Sequence, residues 1–324
     1  MPKAIQIHKN GGPEVMQFED VVVGDPGEGQ VLVRHTAIGV NFIDVYFRTG
    51  LYPAPQLPFT PGMEGAGVVE AIGPGVTDLK AGDRIAYPMT LGAYAEARLI
   101  PADKVVKIPE GVTDEQAASM MLKGLTAYYL LRRTYKVKKG DTILMHAAAG
   151  GVGLIVCQWA NALGATVIGT AGSAEKCELA KAHGAHHAIN YREEDFAERV
   201  AEITGGKKCD VVYDGVGKDV FYPSLDCLKP FGMMITFGNA SGPVDPLNPL
   251  LLSQKGSLYV TRPTLATHVA TRELMTEAAD GLFDVVTSGK VKIEVNQRYA
   301  LSDAALAHLD LEGRKTTGAS VLLA

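Results

Sequence analysis

The sequence predicts an α/β protein in which a doubly wound parallel sheet is inserted into a β-rich domain. Three observations carry this. A strand–glycine turn–helix–strand unit spans Asp141 to Thr170, a regular alternation of helix and strand patterns follows it, and short strand runs fill the first third and return at the end.

The central unit opens with the apolar run Thr142 to Ala147, which reads as a strand buried on both faces. Ala148-Ala149-Gly150-Gly151-Val152-Gly153 follows, with alanine at the first glycine position of the G-x-G-x-x-G pattern. Val152, Ile155, Val156, Trp159 and Leu163 then recur at helical spacing, Gly164 is a C-cap, and Ala165 to Thr170 is a second strand. A glycine cluster alone is an ordinary tight turn; between two strands and a helix it is the setting of a dinucleotide-binding turn. Small residues let the backbone of Ala149, Gly150, Gly151 and Val152 approach a pyrophosphate, and the N–H groups and dipole at the helix start favour its charge. An NAD-binding turn places a carboxylate at the end of the second strand, about twenty residues on. Here that place holds Ala171-Gly172-Ser173, with Lys176 just beyond, a combination that accepts a 2′-phosphate and favours NADPH, although Lys176 taken alone is an ordinary solvated helix residue.

Before this unit, strand runs at Ala4–Ile7, Gln30–Ile38, Gly67–Ile72 and Arg84–Tyr87 are separated by Gly/Pro/Asp turns, as in a partly closed barrel or rolled sheet. A helix opens at Asp114, and a second is expected over Thr126–Thr134. After the unit, helices are expected at Ala174–His183, Glu193–Thr204 and Lys218–Leu228. Strands are expected at His187–Tyr191, Asp210–Tyr213, Met233–Phe237 and Ser257–Thr261. The tail, from Ala266, carries a long helix, a short helix and strand runs at Lys292–Tyr299 and Ala319–Leu323 that are expected to complete the N-terminal sheet. The expected domains are therefore 1–122 with 266–324, and 123–265.

A chain of 324 residues with 47% hydrophobic and 21% charged residues has the composition of a soluble globular protein. Its net charge of −5 offers no bulk attraction to nucleic acid or anionic lipid. No apolar run approaches the length of a membrane span, and Met1-Pro2-Lys3-Ala4 does not begin a signal peptide. Cys157, Cys177, Cys209 and Cys227 are scattered, as free thiols in a cytoplasmic protein are.

Several strings carry a family likeness: Gly39-Val40-Asn41-Phe42-Ile43-Asp44, Pro61 to Gly67, Lys123-Gly124-Leu125-Thr126-Ala127, Ala147 to Gly153, Phe237 to Gly242 and Gly256 to Pro263. With them the chain resembles the medium-chain dehydrogenase/reductase superfamily, and within it the quinone oxidoreductases of the zeta-crystallin type. The resemblance implies a Rossmann cofactor domain inserted into a GroES-like catalytic domain. It implies NADPH-dependent reduction of a quinone, with reduction of activated alkenes (enals or enones) as the alternative, and a crystallin-like structural or RNA-binding role as an alternative of another class.

The resemblance also implies no metal. Zinc enzymes of the superfamily have cysteine where Asn41 stands and Gly-His-Glu where this chain has Gly62-Met63-Glu64, leaving Asp44 and Glu64 as weak ion ligands at most. It implies that Asn41 and Tyr46 face the nicotinamide, with Tyr52 and Arg262 at the pocket edge; as plain residues, Asn41 holds a turn, the tyrosines pack and Arg262 closes a surface salt bridge. Lys176, Tyr191 and Arg314 correspond to residues around the 2′-phosphate. Gly172 and Ser173, and the strand-end segments Gly215-Val216 and Phe237-Gly238-Asn239, complete the cofactor contacts. Thr126, at an expected helix start, is either a donor to the nicotinamide half or a plain N-cap. A homodimer is expected through the edge strand Ser257–Thr261, an arrangement the relatives also adopt.

Overall fold

The structure, a computed structural model, describes all 324 residues. The chain opens with β1 (Lys3–Ile7), β2 (Met16–Asp20), β3 (Gln30–Val40), α1 (Phe42–Thr49), β4 (Glu64–Ile72), β5 (Arg84–Pro88), β6 (Ala97–Pro101), β7 (Val106–Lys107) and α2 (Asp114–Tyr128). It continues through β8 (Thr142–Met145), α3 (Gly151–Ala162), β9 (Thr166–Ala171), α4 (Ala174–Ala182), β10 (His187–Asn190), α5 (Phe196–Ile203) and β11 (Cys209–Asp214). Then come α6 (Phe221–Asp226), β12 (Leu228–Thr236), α7 (Leu250–Gln254) and β13 (Tyr259–Thr261). It ends with α8 (Leu265–His268), α9 (Arg272–Thr287), β14 (Val295–Ala300), α10 (Ala304–Glu312) and β15 (Ala319–Leu323). Contacts divide it into two compact units: Met1–Leu125 with Val269–Phe283 and Ile293–Ala324, and Thr126–His268 with Asp284–Lys292. No helix is long and apolar enough to cross a membrane.

In the unit built on Thr126–His268, six strands pair in parallel in the order β10-β9-β8-β11-β12-β13. The central strands are apolar and buried on both faces, as a sheet covered by helices on each side requires. Strand order reverses between β8 and β11, which places the ligand crevice of such a sheet at the carboxyl ends of these two strands. Four expectations are corrected by local chemistry. β8 stops at Met145 rather than Ala147, because Ala147 turns into the left-handed region (φ 52°). α5 starts at Phe196 rather than Glu193, because Asp195 accepts from the N–H groups of Ala197 and Glu198. α6 starts at Phe221, after Gly217 at φ 89°, and ends before Leu228, which opens β12. Thr126–Thr134 is no separate helix: α2 runs through Thr126 and widens into a π-helix at Tyr129–Thr134.

The other unit holds the antiparallel pair β1-β2 and a seven-stranded sheet in the order β14-β15-β3-β4-β5-β7, with β6 also on β3. β3 pairs with β4 along one edge and with β6 and β15 along the other, and its register slips twice against β4, which rolls the sheet. The tail does complete this sheet, Leu322 pairing opposite Ile38. Val31, Val33, Ile38, Val69, Ile85, Tyr87, Ile100 and Leu322 fill the core. Helix α1 was absent from the sequence reading. Asn41 caps its start, where the Asp44 side chain accepts from the Asn41 N–H at 2.9 Å, and Gly50 closes it at φ 82°.

Candidate active site

The glycine turn sits between β8 and α3. Gly150 is the N-cap and offers no side chain to the first-turn N–H groups, which leaves backbone donors at the start of a helix. Gly153 is sterically fixed: a Cβ there would lie 2.4 Å from the Ala147 carbonyl oxygen and 2.6 Å from that of Ala148. The alanine at the first glycine position is accommodated from the next strand. A Cβ on Gly169 of β9 would meet the Ala148 methyl at 2.6 Å, so the missing glycine has moved across the sheet. Ala149 and Val152 lie within the same turn and helix start.

At the end of β9, no carboxylate occupies Ala171-Gly172-Ser173. Ser173 caps α4 by accepting from the Lys176 N–H, which seats Lys176 in the first helical turn. A Cβ on Gly172 would be 2.7 Å from the Tyr191 hydroxyl and 3.5 Å from Arg192 Nε. Tyr191 and Arg192 thus come up against one glycine, with Lys176 in the helical turn that follows, and Arg192 was missed because it lies in an irregular turn after β10. Arg314 belongs to the other unit, exposed just past α10 at φ 57°.

The carboxyl ends of β11 and β12 touch backbone to backbone. Asp214 folds the first loop by accepting from the N–H groups of Val216 (2.7 Å) and Gly217 (2.9 Å). A Cβ on Gly238 would lie 2.3 Å from the Gly215 carbonyl oxygen, and one on Gly215 would lie 3.1 Å from the Phe237 ring. Arg262 donates to Thr236 Oγ1 (3.2 Å), the Gly238 carbonyl (3.0 Å) and, through Nη2, the Asn239 amide oxygen (3.1 Å). It therefore braces this loop rather than closing a surface salt bridge. Thr126 is buried inside α2 and is no N-cap; its hydroxyl is hydrogen-bonded to Tyr129.

In the β-rich unit, Asn41 is buried and donates from Nδ2 to Glu64 Oε1 at 2.8 Å. The same oxygen takes the Lys123 ammonium at 2.7 Å, and Glu64 Oε2 accepts from the Leu122 N–H at 2.6 Å. Tyr46 projects from α1, its ring 5.2 Å from that of Tyr52 in an edge-on arrangement. Asp44, wholly buried, is pushed up to about 7, chiefly by burial; the Asn41 N–H and the Tyr94 hydroxyl restrain the rise, Glu64 adds to it and Lys123 opposes it. Lys123 was legible only as part of a family string.

A zinc ion does not fit these residues. Asn41 and Met63 stand at the two positions of interest, Glu64 is already bound by an ammonium, and no group of three or more His, Cys, Asp or Glu side chains is arranged to hold a metal. A dinucleotide does fit: Gly150 and Gly151 carry no side chain at the start of α3, so its first backbone N–H groups are open to phosphate oxygens.

Residues 27–110 match the alcohol dehydrogenase GroES-like domain, and residues 151–288 match the zinc-binding dehydrogenase family. The chain is 56% identical to the quinone oxidoreductase of Pseudomonas aeruginosa over all of both sequences. It is 50% identical to the 2-haloacrylate reductase of a Burkholderia species, covering 100% of this chain and 99% of that protein. The crystal structure of Escherichia coli quinone oxidoreductase complexed with NADPH superposes with a TM-score of 0.97 at 53% identity, covering 99% of this chain and 100% of that one.

Proposed function

The chain belongs to the quinone oxidoreductase family of medium-chain dehydrogenases/reductases, and from that premise we propose that it reduces quinones with NADPH and without a metal. The observation that carries the cofactor choice is the end of β9, where Ala171-Gly172-Ser173 holds no acid, Tyr191 and Arg192 stand against Gly172 and Lys176 follows in the first turn of α4. The substrate class rests on the relatives.

When bound, NADPH supplies a hydride from its nicotinamide. The chain's own residues do the rest. The backbone of Ala149–Val152 would hold the pyrophosphate at the start of α3, and Lys176, whose N–H is bonded to the Ser173 cap, would meet the 2′-phosphate, with Arg314 as a further cation. Gly215, Val216 and Phe237–Asn239, braced by Arg262, shape the nicotinamide side. Asn41, held by Glu64, and the Tyr46–Tyr52 pair receive the acceptor. Reduction of a quinone leaves a hydroquinone anion that takes its proton from solvent, so no strong general acid is required.

The test is NADPH oxidation with 1,4-benzoquinone, with an enone and with no acceptor, run side by side. Turnover with the quinone well above the other two is expected; turnover with the enone alone would replace this reading by alkene reduction, which the 2-haloacrylate reductase likeness favours. Activity surviving a chelator, in protein without stoichiometric zinc, is the expected metal result.

The homodimer reading is supported by β13, which pairs with β12 on one side only and leaves Tyr259 exposed. Light scattering at micromolar concentration is expected to give twice the 34.4 kDa chain mass, and Val260→Pro to dissociate or destabilise the pair. Four buried free cysteines suit a reducing cytoplasm.

A further inference from the structure

The β-rich unit buries a continuous run of side-chain hydrogen bonds among groups that the proposed reaction does not use. Tyr94 Oη lies 3.1 Å from Asp44 Oδ2 and 3.0 Å from His308 Nε2. His308 Nδ1 lies 3.1 Å from Arg48 Nη1. Arg48 donates onward from Nη2 to Glu312 Oε1 at 2.9 Å and from Nε to the Gly11 carbonyl at 3.2 Å. Asp44, Arg48, Tyr94 and His308 are all essentially without solvent contact, and only Glu312 reaches the surface.

The direction of every bond in this run follows from one residue. A guanidinium has donors and no acceptor, so His308 Nδ1 must accept from Arg48. A neutral imidazole that accepts at Nδ1 carries its proton on Nε2 and therefore donates to Tyr94 Oη. The Tyr94 hydroxyl is then left to donate to Asp44 Oδ2, which also takes the Asn41 N–H. The reverse direction would run from a protonated Asp44 Oδ2 to Tyr94 and on to His308, and would leave two donors facing each other between His308 Nδ1 and Arg48. Burial, and then the neighbouring Arg48, hold His308 neutral, lowering it to about 3.

We propose that Arg48, His308 and Tyr94 are positioning residues that keep Asp44 Oδ2 an acceptor and so hold helix α1, with Asn41 and Tyr46, in the orientation the acceptor requires. Asp44 and Arg48 lie one turn apart on the same face of α1, so the Tyr94–His308 bridge grips the helix at both ends. The charged and titratable groups around Asp44 are Glu64 from β4, Lys123 from α2, Tyr94 from the loop before β6, Arg48 from its own helix and, through Tyr94, His308 from α10. A proton arriving on Asp44 goes to Oδ1, which is buried without a hydrogen-bond partner. The proposal rests on the assignment of Asn41 and Tyr46 to the acceptor.

The experiment compares the parent with Tyr94→Phe and His308→Gln. Three readouts are taken: NADPH affinity by fluorescence, kcat/KM for 1,4-benzoquinone against pH, and the Asp44 carboxyl titration by isotope-edited infrared spectroscopy. Tyr94→Phe removes the donor to Asp44, so the carboxyl titration and the pH profile are expected to move up by about one pH unit. In the same variant kcat/KM falls about tenfold while NADPH affinity holds within about twofold. A glutamine at 308 can accept from Arg48 through its oxygen and donate to Tyr94 through its amide. His308→Gln is therefore expected to keep the parent's titration and profile. An unshifted Asp44 titration in Tyr94→Phe, or an upward shift in His308→Gln equal to that of Tyr94→Phe, would overturn the proposal. The infrared readout needs no turnover, so a parent enzyme inert toward quinone would defeat the functional reading separately.

Discussion

The two units present their candidate residues in opposite materials. The parallel-sheet unit uses backbone: at Gly153, Gly172 and Gly238 an added Cβ would collide with a carbonyl oxygen or a hydroxyl, and at Gly215 it would crowd a ring. The β-rich unit uses buried side chains, with Asn41, Asp44, Glu64, Lys123, Tyr94, Arg48 and His308 joined by hydrogen bonds across the fold. The first kind of site fails when an atom is added. The second fails when a partner is removed, because a buried charge or donor is then left unpaired.

The sharpest way to break that contrast is Lys123→Met. It strands the Glu64 carboxylate, wholly buried, without its 2.7 Å cation. A loss of about 3–5 kcal/mol in unfolding free energy is expected by urea denaturation, since one partner of a buried ion pair is removed. A loss below about 1 kcal/mol would show that Glu64 needs only its Asn41 and Leu122 donors.

On the other side of the comparison, Gly153→Ala adds one methyl where the Ala147 carbonyl oxygen is 2.4 Å away. The turn must open, and NADPH affinity is expected to fall about a hundredfold, or about 2.7 kcal/mol, in a fluorescence titration. A dissociation constant within about threefold of the parent would mean that the turn yields without cost.

Protons give an effect that is smaller for each buried group. His146 in one unit and His35 and His308 in the other are buried and lowered to about 3, about 4 and about 3, in each case chiefly by burial. A histidine whose folded pKa is depressed stabilises fully above its unfolded value near 6.5, and that contribution is lost as pH falls toward the folded value. Asp44 has the opposite sign: raised to about 7, it contributes fully below its unfolded value and loses that contribution as pH rises through 7. Unfolding free energy is therefore expected to drop between pH 6 and pH 5 by about 1.4 kcal/mol per pH unit for each titrating histidine, less the opposing Asp44 share. His146→Gln is expected to flatten the slope by one proton, and an unchanged slope would place the acid sensitivity elsewhere.

Smallest is the loss of one surface cation. Lys176→Ala is expected to weaken NADPH about tenfold, or about 1.4 kcal/mol, and to leave NADH nearly unchanged. Arg192→Ala should act in the same direction. Equal losses for both nucleotides would detach these residues from the 2′-phosphate.

Much of the parallel sheet was legible because its signals are local. A buried strand, a glycine turn and an amphipathic helix each announce themselves within a dozen residues, and Ala171-Gly172-Ser173 shows its lack of an acid without any fold. The misreadings there came from capping and backbone geometry at single positions, namely Asp195, Gly217, Ala147 and the uninterrupted helix through Thr126. Helix α1 was missed because only eight residues lie between Asn41 and Gly50, too few to establish a period.

What the sequence by itself determined is the kind of fold and, at Ala171-Gly172-Ser173, the absence of an acid after the second strand of the central unit. Tertiary structure alone decided that Lys123 meets Glu64, that Gly169 makes room for Ala148, and that Tyr94 and His308, 214 residues apart, share a hydrogen bond between Asp44 and Arg48. The physical reason is range. Steric and propensity rules act between neighbours along the chain and leave a pattern in it, whereas burial and hydrogen-bond satisfaction act between neighbours in space, and a lone tyrosine or histidine carries no mark of the partner that the fold will bring to it.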